Sequence, residues 1–244
     1  YFLGFDDFYR GNKISYAADS TVSRIEAQYK DRLQKDLNDF KAISVRNSHS
    51  QEFVEELTGK TVPIVADPTV LCEFTNLGSG DRDSNERYIL VYVLGKDIRG
   101  TNKRAIERIK QVHGDMRVYA VVDPTRKFNV DIAGYVDKVF YDLGPVEWVN
   151  MLRNATFVFT DSFHGTLFSL KFHKPFLAYY AEDMRATRFM DLGNRYNIGK
   201  YIVTSVDEID RSLEQPPDFS SIDCLIEEHK GISIEFLEAA LNIG

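Results

Sequence analysis

The stretch Thr156–Tyr180 reads TFVFTDSFHGTLFSLKFHKPFLAYY. Its first four residues, Thr156 to Phe159, are β-branched or aromatic, as a buried strand requires, and they stop at the polar triplet Thr160-Asp161-Ser162. Aspartate and serine are residues that cap helices, and an apolar run of helical length follows, ended by Lys174-Pro175. A second short apolar run, PFLAYY, comes directly after it. Strand, tight turn, helix, strand is the unit from which parallel sheets are built, because parallel neighbours need a crossover between them.

The same alternation extends upstream. RYILVYVLG (residues 87–95), MRVYAVVD (116–123) and DKVFYDL (137–143) have strand character, while TNKRAIERIKQVHG (101–114) and PVEWVNMLRNA (145–155) have helical spacing, the latter with proline in its first turn. This pattern predicts a Rossmann-like carboxy-terminal domain over residues 87–204. Before it, KISYAA, a long charged helix, KAISVR, SQEFVEELTG and VPIVADPT suggest a shorter α/β unit over residues 1–75. NLGSGDRDSNE (residues 76–86) has no periodicity and reads as a linker. Residues 205–244 read as one or two closing helices. The expected fold class is therefore α/β with two Rossmann-like domains.

Composition narrows the function. The 244 residues carry 30 basic and 37 acidic side chains, for a net charge of −7. The chain as a whole thus has no electrostatic footprint for nucleic acid or an anionic membrane, and any anion must be held by a local cluster. No apolar run approaches the ~18 residues of a membrane span, and no signal-peptide pattern is present. The expected location is the cytoplasm, including its membrane-peripheral inner face. The two cysteines, Cys72 and Cys224, are expected to be buried small hydrophobes rather than a disulfide or metal site. No metal or cofactor is expected.

Ligands of parallel α/β sheets bind beyond the carboxyl ends of the strands, and that rule selects the candidates. After TFVFT come Asp161, Ser162, Phe163, His164, Gly165 and Thr166. Here a helix amino terminus can receive an anion, Gly165 allows close approach to the backbone, and Thr166 and Ser169 can add hydroxyls. His164 is either an acid or base beside that anion or a histidine bonded to a neighbouring loop; the residues alone leave both open. Arg46, at the end of ISVR, either grips a carboxylate or phosphate or forms a surface salt bridge. Asp67 and Asp123 each begin an Asp-Pro turn after a strand, Gly95 allows a tight exit after YILVYVL, and Arg185 and Arg188 follow PFLAYY.

Taken together, ISVRNSHS, LTGKTVPIVADPTVL, YILVYVLG, GPVEWVNMLRNATFVFTDSFHGTLFSLKFHKPF and RATRFMDL resemble, in order, the polysaccharide pyruvyl transferase family. The resemblance covers about Lys13 to Leu192, and TDSFHG is its most specific piece. It implies a fold similar to GT-B glycosyltransferases and transfer of a carboxyethylidene group from phosphoenolpyruvate to a sugar or lipid-linked glycan. It also implies phosphoenolpyruvate-binding roles for His164 and Arg46; some members have arginine where this chain has Ser162. Family members usually carry a further stretch before the equivalent of Tyr1, so the amino-terminal domain is expected to be incomplete. His164 is the leading acid/base candidate and Asp67 the second. Substrate contacts are expected from Arg46, Ser162, Phe163, His164, Gly165, Thr166, Gly95 and Arg188. The competing functions are nucleotide-sugar glycosyl transfer and non-catalytic glycan binding.

Overall fold

The computed structural model describes residues 12–20, 25–75, 77, 86–95, 102–123, 132, 134–181 and 183–242, with the side chains of 183–185 excepted. Contacts divide the chain into two compact units, Tyr1–Cys72 with Cys224–Gly244, and Glu73–Asp223. The expected linker lies outside the described residues apart from Leu77 and Glu86.

The second unit is built on a six-stranded parallel sheet. Its strands are β3 (Tyr88–Tyr92), β4 (Arg117–Val121), β5 (Lys138–Phe140), β6 (Phe157–Thr160), β7 (Phe176–Tyr179) and β8 (Ile202–Val203), in the spatial order β5-β4-β3-β6-β7-β8. That is the doubly wound order, in which the chain starts at the centre, builds to one edge, then returns and builds to the other. The return falls between β3 and β6, which pair directly from Ile89↔Phe157 to Tyr92↔Thr160.

Burial on both faces explains the near-continuous apolar strands. Ile89, Val91 and Val93 pack with Ala105, Ile106 and Ile109 of α4 (Asn102–His113) and with Ile209 and Leu213 of α8 (Ile209–Leu213). The alternate residues point the other way. The Tyr88 hydroxyl donates to Met151 O on α5 (Pro145–Asn154) at 2.7 Å, and Tyr92 meets the Trp148 ring edge-on. Period-two alternation thus sends one residue set to each helical layer. The helix α6 (Phe163–Lys171) follows β6, and α7 (Asp183–Arg195) follows β7.

In the first unit, β1 (Ile14–Ala18) pairs in parallel with β2 (Ala42–Val45), connected by α1 (Ala27–Asn38). The helix α2 (Ser48–Thr58) starts where the Asn47 side chain accepts the Ser50 amide at 2.8 Å, as an amino-terminal cap does. It stops at Gly59, whose φ is 67°, a left-handed conformation that few other residues tolerate. VPIVADPT differs from the strand expected of it: it makes one parallel bridge, Ile64 to Val45, and then turns into the short helix α3 (Pro68–Leu71). The last helix, α9 (Phe219–Leu241), is continuous, and its portion from Cys224 belongs to the first unit.

Both cysteines are exposed, which corrects the expectation of burial. Position outweighs residue type here. On α9 the buried residues Ile222, His229, Ser233 and Ala240 mark one stripe, and Cys224 lies off it. Cys72 is the extended residue closing α3. Among the described residues, no helix is long and apolar enough to cross a membrane.

Candidate functional site

The end of β6 is where the sheet order reverses, and polar groups there organise the turn into α6. The buried Thr160 hydroxyl donates to Tyr92 O at 2.6 Å and accepts the Ser162 amide at 3.0 Å, which ties β6 to β3 and sets the turn into α6. The Ser162 side chain accepts the Gly165 amide at 3.2 Å, and so caps α6. Asp161, 3% exposed, accepts two amides of the loop after β3, Leu94 N on one oxygen and Gly95 N on the other, both at 2.6 Å. Ser162, Phe163, His164, Gly165, Thr166 and Gly95 are therefore brought together at the switch point.

Their roles differ from one another. Phe163 and His164 occupy the first turn of α6, both partly exposed, their rings edge-on at 5.5 Å. His164 thus stands at the positive end of the helix dipole, where an anion is favoured. Gly165 lacks a side chain for a packing reason. A Cβ there would overlap the Thr160 hydroxyl and come within 3.1 Å of its Cβ, so the glycine lets α6 lie against β6.

Thr166 departs from its expected role. Its buried hydroxyl donates to Ser162 O at 3.1 Å, and Ser169 likewise donates to Gly165 O at 2.7 Å. Hydroxyls that bond back to the preceding turn point into the helix. The Gly95 amide is likewise engaged, by Asp161. Arg188 is half-buried on α7 in the same unit, and the Arg185 side chain lies outside the described residues. Asp123 is described, but its Pro124-Thr125 turn lies outside the described residues.

Arg46 and Asp67 lie together in the first unit. The Arg46 guanidinium is bracketed by two carboxylates: Nε and Nη2 donate to Asp19 Oδ2, the former at 2.8 Å, and Nη1 to Asp67 Oδ2 at 2.7 Å. Side-chain exposures of 18%, 6% and 3% for Arg46, Asp19 and Asp67 make this a largely desolvated ion triad rather than the surface pair considered above. The Asn47 amide holds the other Asp19 oxygen at 3.0 Å.

Asp67 Oδ1 accepts both the amide and the hydroxyl of Thr69, capping α3, so both its oxygens serve structural bonds. Asp19 was not evident from sequence. It is aimed by a bulge in β1, where the register shifts between Ser15 and Ala18 and Ala17 takes a φ of 52°; such an irregularity re-aims the residues that follow it. The one available signal was its place just past a strand end, shared with Asp67 and Asp161.

Of the other histidines, His113 lies tilted against the Phe157 ring, and burial, with the Arg87 charge beside it, lowers its pKa. His173 bonds Asp223 at 3.0 Å, and His229 is buried. Among the described residues no group of three or more His, Cys, Asp or Glu side chains is placed to hold a metal ion.

The sequence profile of the family described as "Polysaccharide pyruvyl transferase" matches residues 1–183. A search of curated protein sequences finds no match. Among solved structures, the UDP-GlcNAc 2-epimerase of Methanocaldococcus jannaschii is similar at TM-score 0.55 and 12% identity, over 85% of this chain and 64% of that one. Its complex with UDP-GlcNAc and UDP gives 0.56 and 14%, over 95% and 69%. The epimerase of Rickettsia bellii gives 0.56 and 12%, over 94% and 66%. The chain thus spans about two thirds of the length of these enzymes or slightly less. At such identities the likeness establishes fold alone: an α/β chain of the GT-B class.

Proposed function

Given that the chain belongs to the polysaccharide pyruvyl transferase family, we propose that it transfers the carboxyethylidene group of phosphoenolpyruvate to two hydroxyls of a sugar, in a polysaccharide or its lipid-linked precursor. The observation that carries this reading is the position of His164. The most family-specific segment places it, partly exposed, on the first turn of a capped nine-residue helix at the reversal point of the sheet.

Phosphoenolpyruvate is a compact polyanion, and a chain of net charge −7 must meet it with local positive potential. The α6 amino terminus supplies part of that, and His164 in its charged form supplies more. The resemblance to the family makes Arg46 a further candidate for binding phosphoenolpyruvate. In the reaction, the methylene carbon gains a proton and becomes a methyl group, which makes the central carbon electrophilic. One sugar hydroxyl adds to that carbon, and the bond to the phosphate oxygen breaks. The second hydroxyl closes the ketal. Of the two hydroxyl protons, one is balanced by the new methyl hydrogen and the other leaves with phosphate. His164 is the proposed acid or base. Asp67, with its oxygens on Arg46 and Thr69, serves to orient Arg46.

The test is phosphate release from phosphoenolpyruvate in the presence of glycan acceptors. His164→Ala should lower kcat by about 10²–10⁴-fold, the usual contribution of a positioned acid or base, with the unfolding midpoint unchanged. Full activity in that variant would exclude the assignment. Thermal stabilisation by UDP-sugars but not by phosphoenolpyruvate would instead indicate glycosyl transfer. Saccharide binding without phosphate release would indicate a binding protein.

A further inference from the structure

Asp161 is the least expected participant at the switch point. A buried carboxylate immediately before a helix whose positive end is to receive an anion puts negative charge where the ligand's own charge should go, so it needs a compensating contact there. The structure gives one. Its two oxygens each take one backbone amide of the loop leaving β3, Leu94 N and Gly95 N, at 2.6 Å. These amides lie 67 and 66 residues away in sequence and follow the strand that pairs with β6 at the sheet reversal. Charge-assisted bonds of this length are the strong ones, and a pair sharing one carboxylate fixes direction as well as distance.

The neighbouring residue does the same work one step earlier, since Thr160 holds Tyr92 O. The loop after β3 and the turn that presents His164 are thereby fastened into one piece by consecutive side chains at the end of β6. We infer that Asp161 is a positioning residue for the reaction: it clips the Leu94–Gly95 backbone to the His164-bearing end of α6, so that the loop after β3 and the first turn of α6 keep a fixed spacing. This rests on the pyruvyl transfer reading for the identity of the ligand, but not for the clip itself.

The experiment uses the full chain with Asp161→Asn, which is isosteric and keeps one acceptor, but turns an NH₂ group toward an amide that needs an acceptor. Amide hydrogen exchange should speed up at Leu94 and Gly95. Phosphate release from phosphoenolpyruvate should fall about 10–100-fold in kcat, as for displacement of a catalytic group by about 1 Å, while the pH profile keeps the wild-type shape because His164 is intact. Faster exchange at Leu94 and Gly95 with wild-type kcat and KM overturns the positioning role, and unchanged exchange overturns the clip.

Should Asp161→Asn not fold, Asp161→Glu, which keeps the charge but displaces the oxygens by a methylene, is judged by the same criteria. If the wild type proves to bind a UDP-sugar rather than phosphoenolpyruvate, the donor reading fails separately. Asp161 is then judged on the affinity for that sugar, measured by thermal stabilisation, which should weaken at least tenfold in the variant; an unchanged affinity overturns it.

Discussion

A methyl group on Gly165 would occupy the space of the Thr160 hydroxyl, and neither partner can give way easily. Thr160 is fully buried and held at both Tyr92 O and the Ser162 amide, while Gly165 is part of the capped first turn. Gly165→Ala should therefore destabilise by about 1–3 kcal/mol, the range for overpacking, a fall of about 2–4 °C in unfolding midpoint for each kcal/mol. Thr160→Ser keeps the offending oxygen and should not rescue it. Thr160→Ala removes the closest overlap and leaves only the 3.1 Å approach of its Cβ, so the double variant should lose less stability than the two single changes summed. TDSFHG thus announced its strand end, cap and helix start locally, because caps and apolar periodicity are local signals. What Asp161 and Thr160 bind was not legible, since their partners lie in the loop and strand more than sixty residues upstream. The same holds for Asp19 on Arg46, whose geometry depends on a bulge that no residue preference marks.

At the scale of elements, β5 is a short edge strand of three residues, held by a charged residue just before its start. Asp137 N donates to Val118 O at 2.8 Å, and the Asp137 carboxylate accepts Val118 N at 2.7 Å, with Arg117 alongside. The Val118 amide is the main reason that the Asp137 pKa is lowered. A lowered carboxylate pKa stabilises the fold at every pH above the unfolded value, about 3.9, and that contribution is lost as pH falls through the folded value. Asp137→Asn should accordingly lower stability near neutrality, by a small amount because the site is partly exposed, and leave it unchanged in acid, so that the acid limb measured by urea unfolding between pH 3 and 7 flattens by that same amount. An acid limb as steep as that of the wild type would exclude this role for Asp137. Strand lengths explain which elements could be foreseen. β3, β4, β6 and β7 carry four or five residues with clear patterning, whereas β8 has two, too few for periodicity to register. VPIVADPT has strand composition, but a proline at position 63 and the Asp67-Pro68 turn leave it room for one bridge.

Over the whole molecule, the two ends of the chain fall in the same unit, and α9 is bonded into the strands and turns of that unit. Ser233, fully buried on α9, accepts the Ala66 amide at 2.8 Å and donates to His229 O at 2.7 Å. Tyr16 on β1 donates to Ala66 O at 2.8 Å, lies against the Phe236 ring, and has its pKa raised, chiefly by burial. Lys41 donates to Ala240 O and to the Asn242 side chain. The segment that turns from Ile64 into Asp67 is thus positioned from the α9 side, and through Asp67 so is the Arg46 triad. A closing helix was legible from composition, but its return to the first unit was not, because amphipathic spacing names a buried face and not its partner. Ser233→Ala leaves the Ala66 amide buried without an acceptor and should cost about 1–3 kcal/mol. Ser233→Thr, which keeps the hydroxyl, should cost less unless its added methyl cannot be accommodated, so Ser233→Cys, similar in size with a weak acceptor, provides the intermediate case. If the bond holds Asp67 in place, exchange of the Ala66 and Thr69 amides should quicken in Ser233→Ala, while the Leu94 and Gly95 amides of the second unit remain as slow as in the wild type. Equal acceleration in both units would mean that the serine supports global stability rather than this segment.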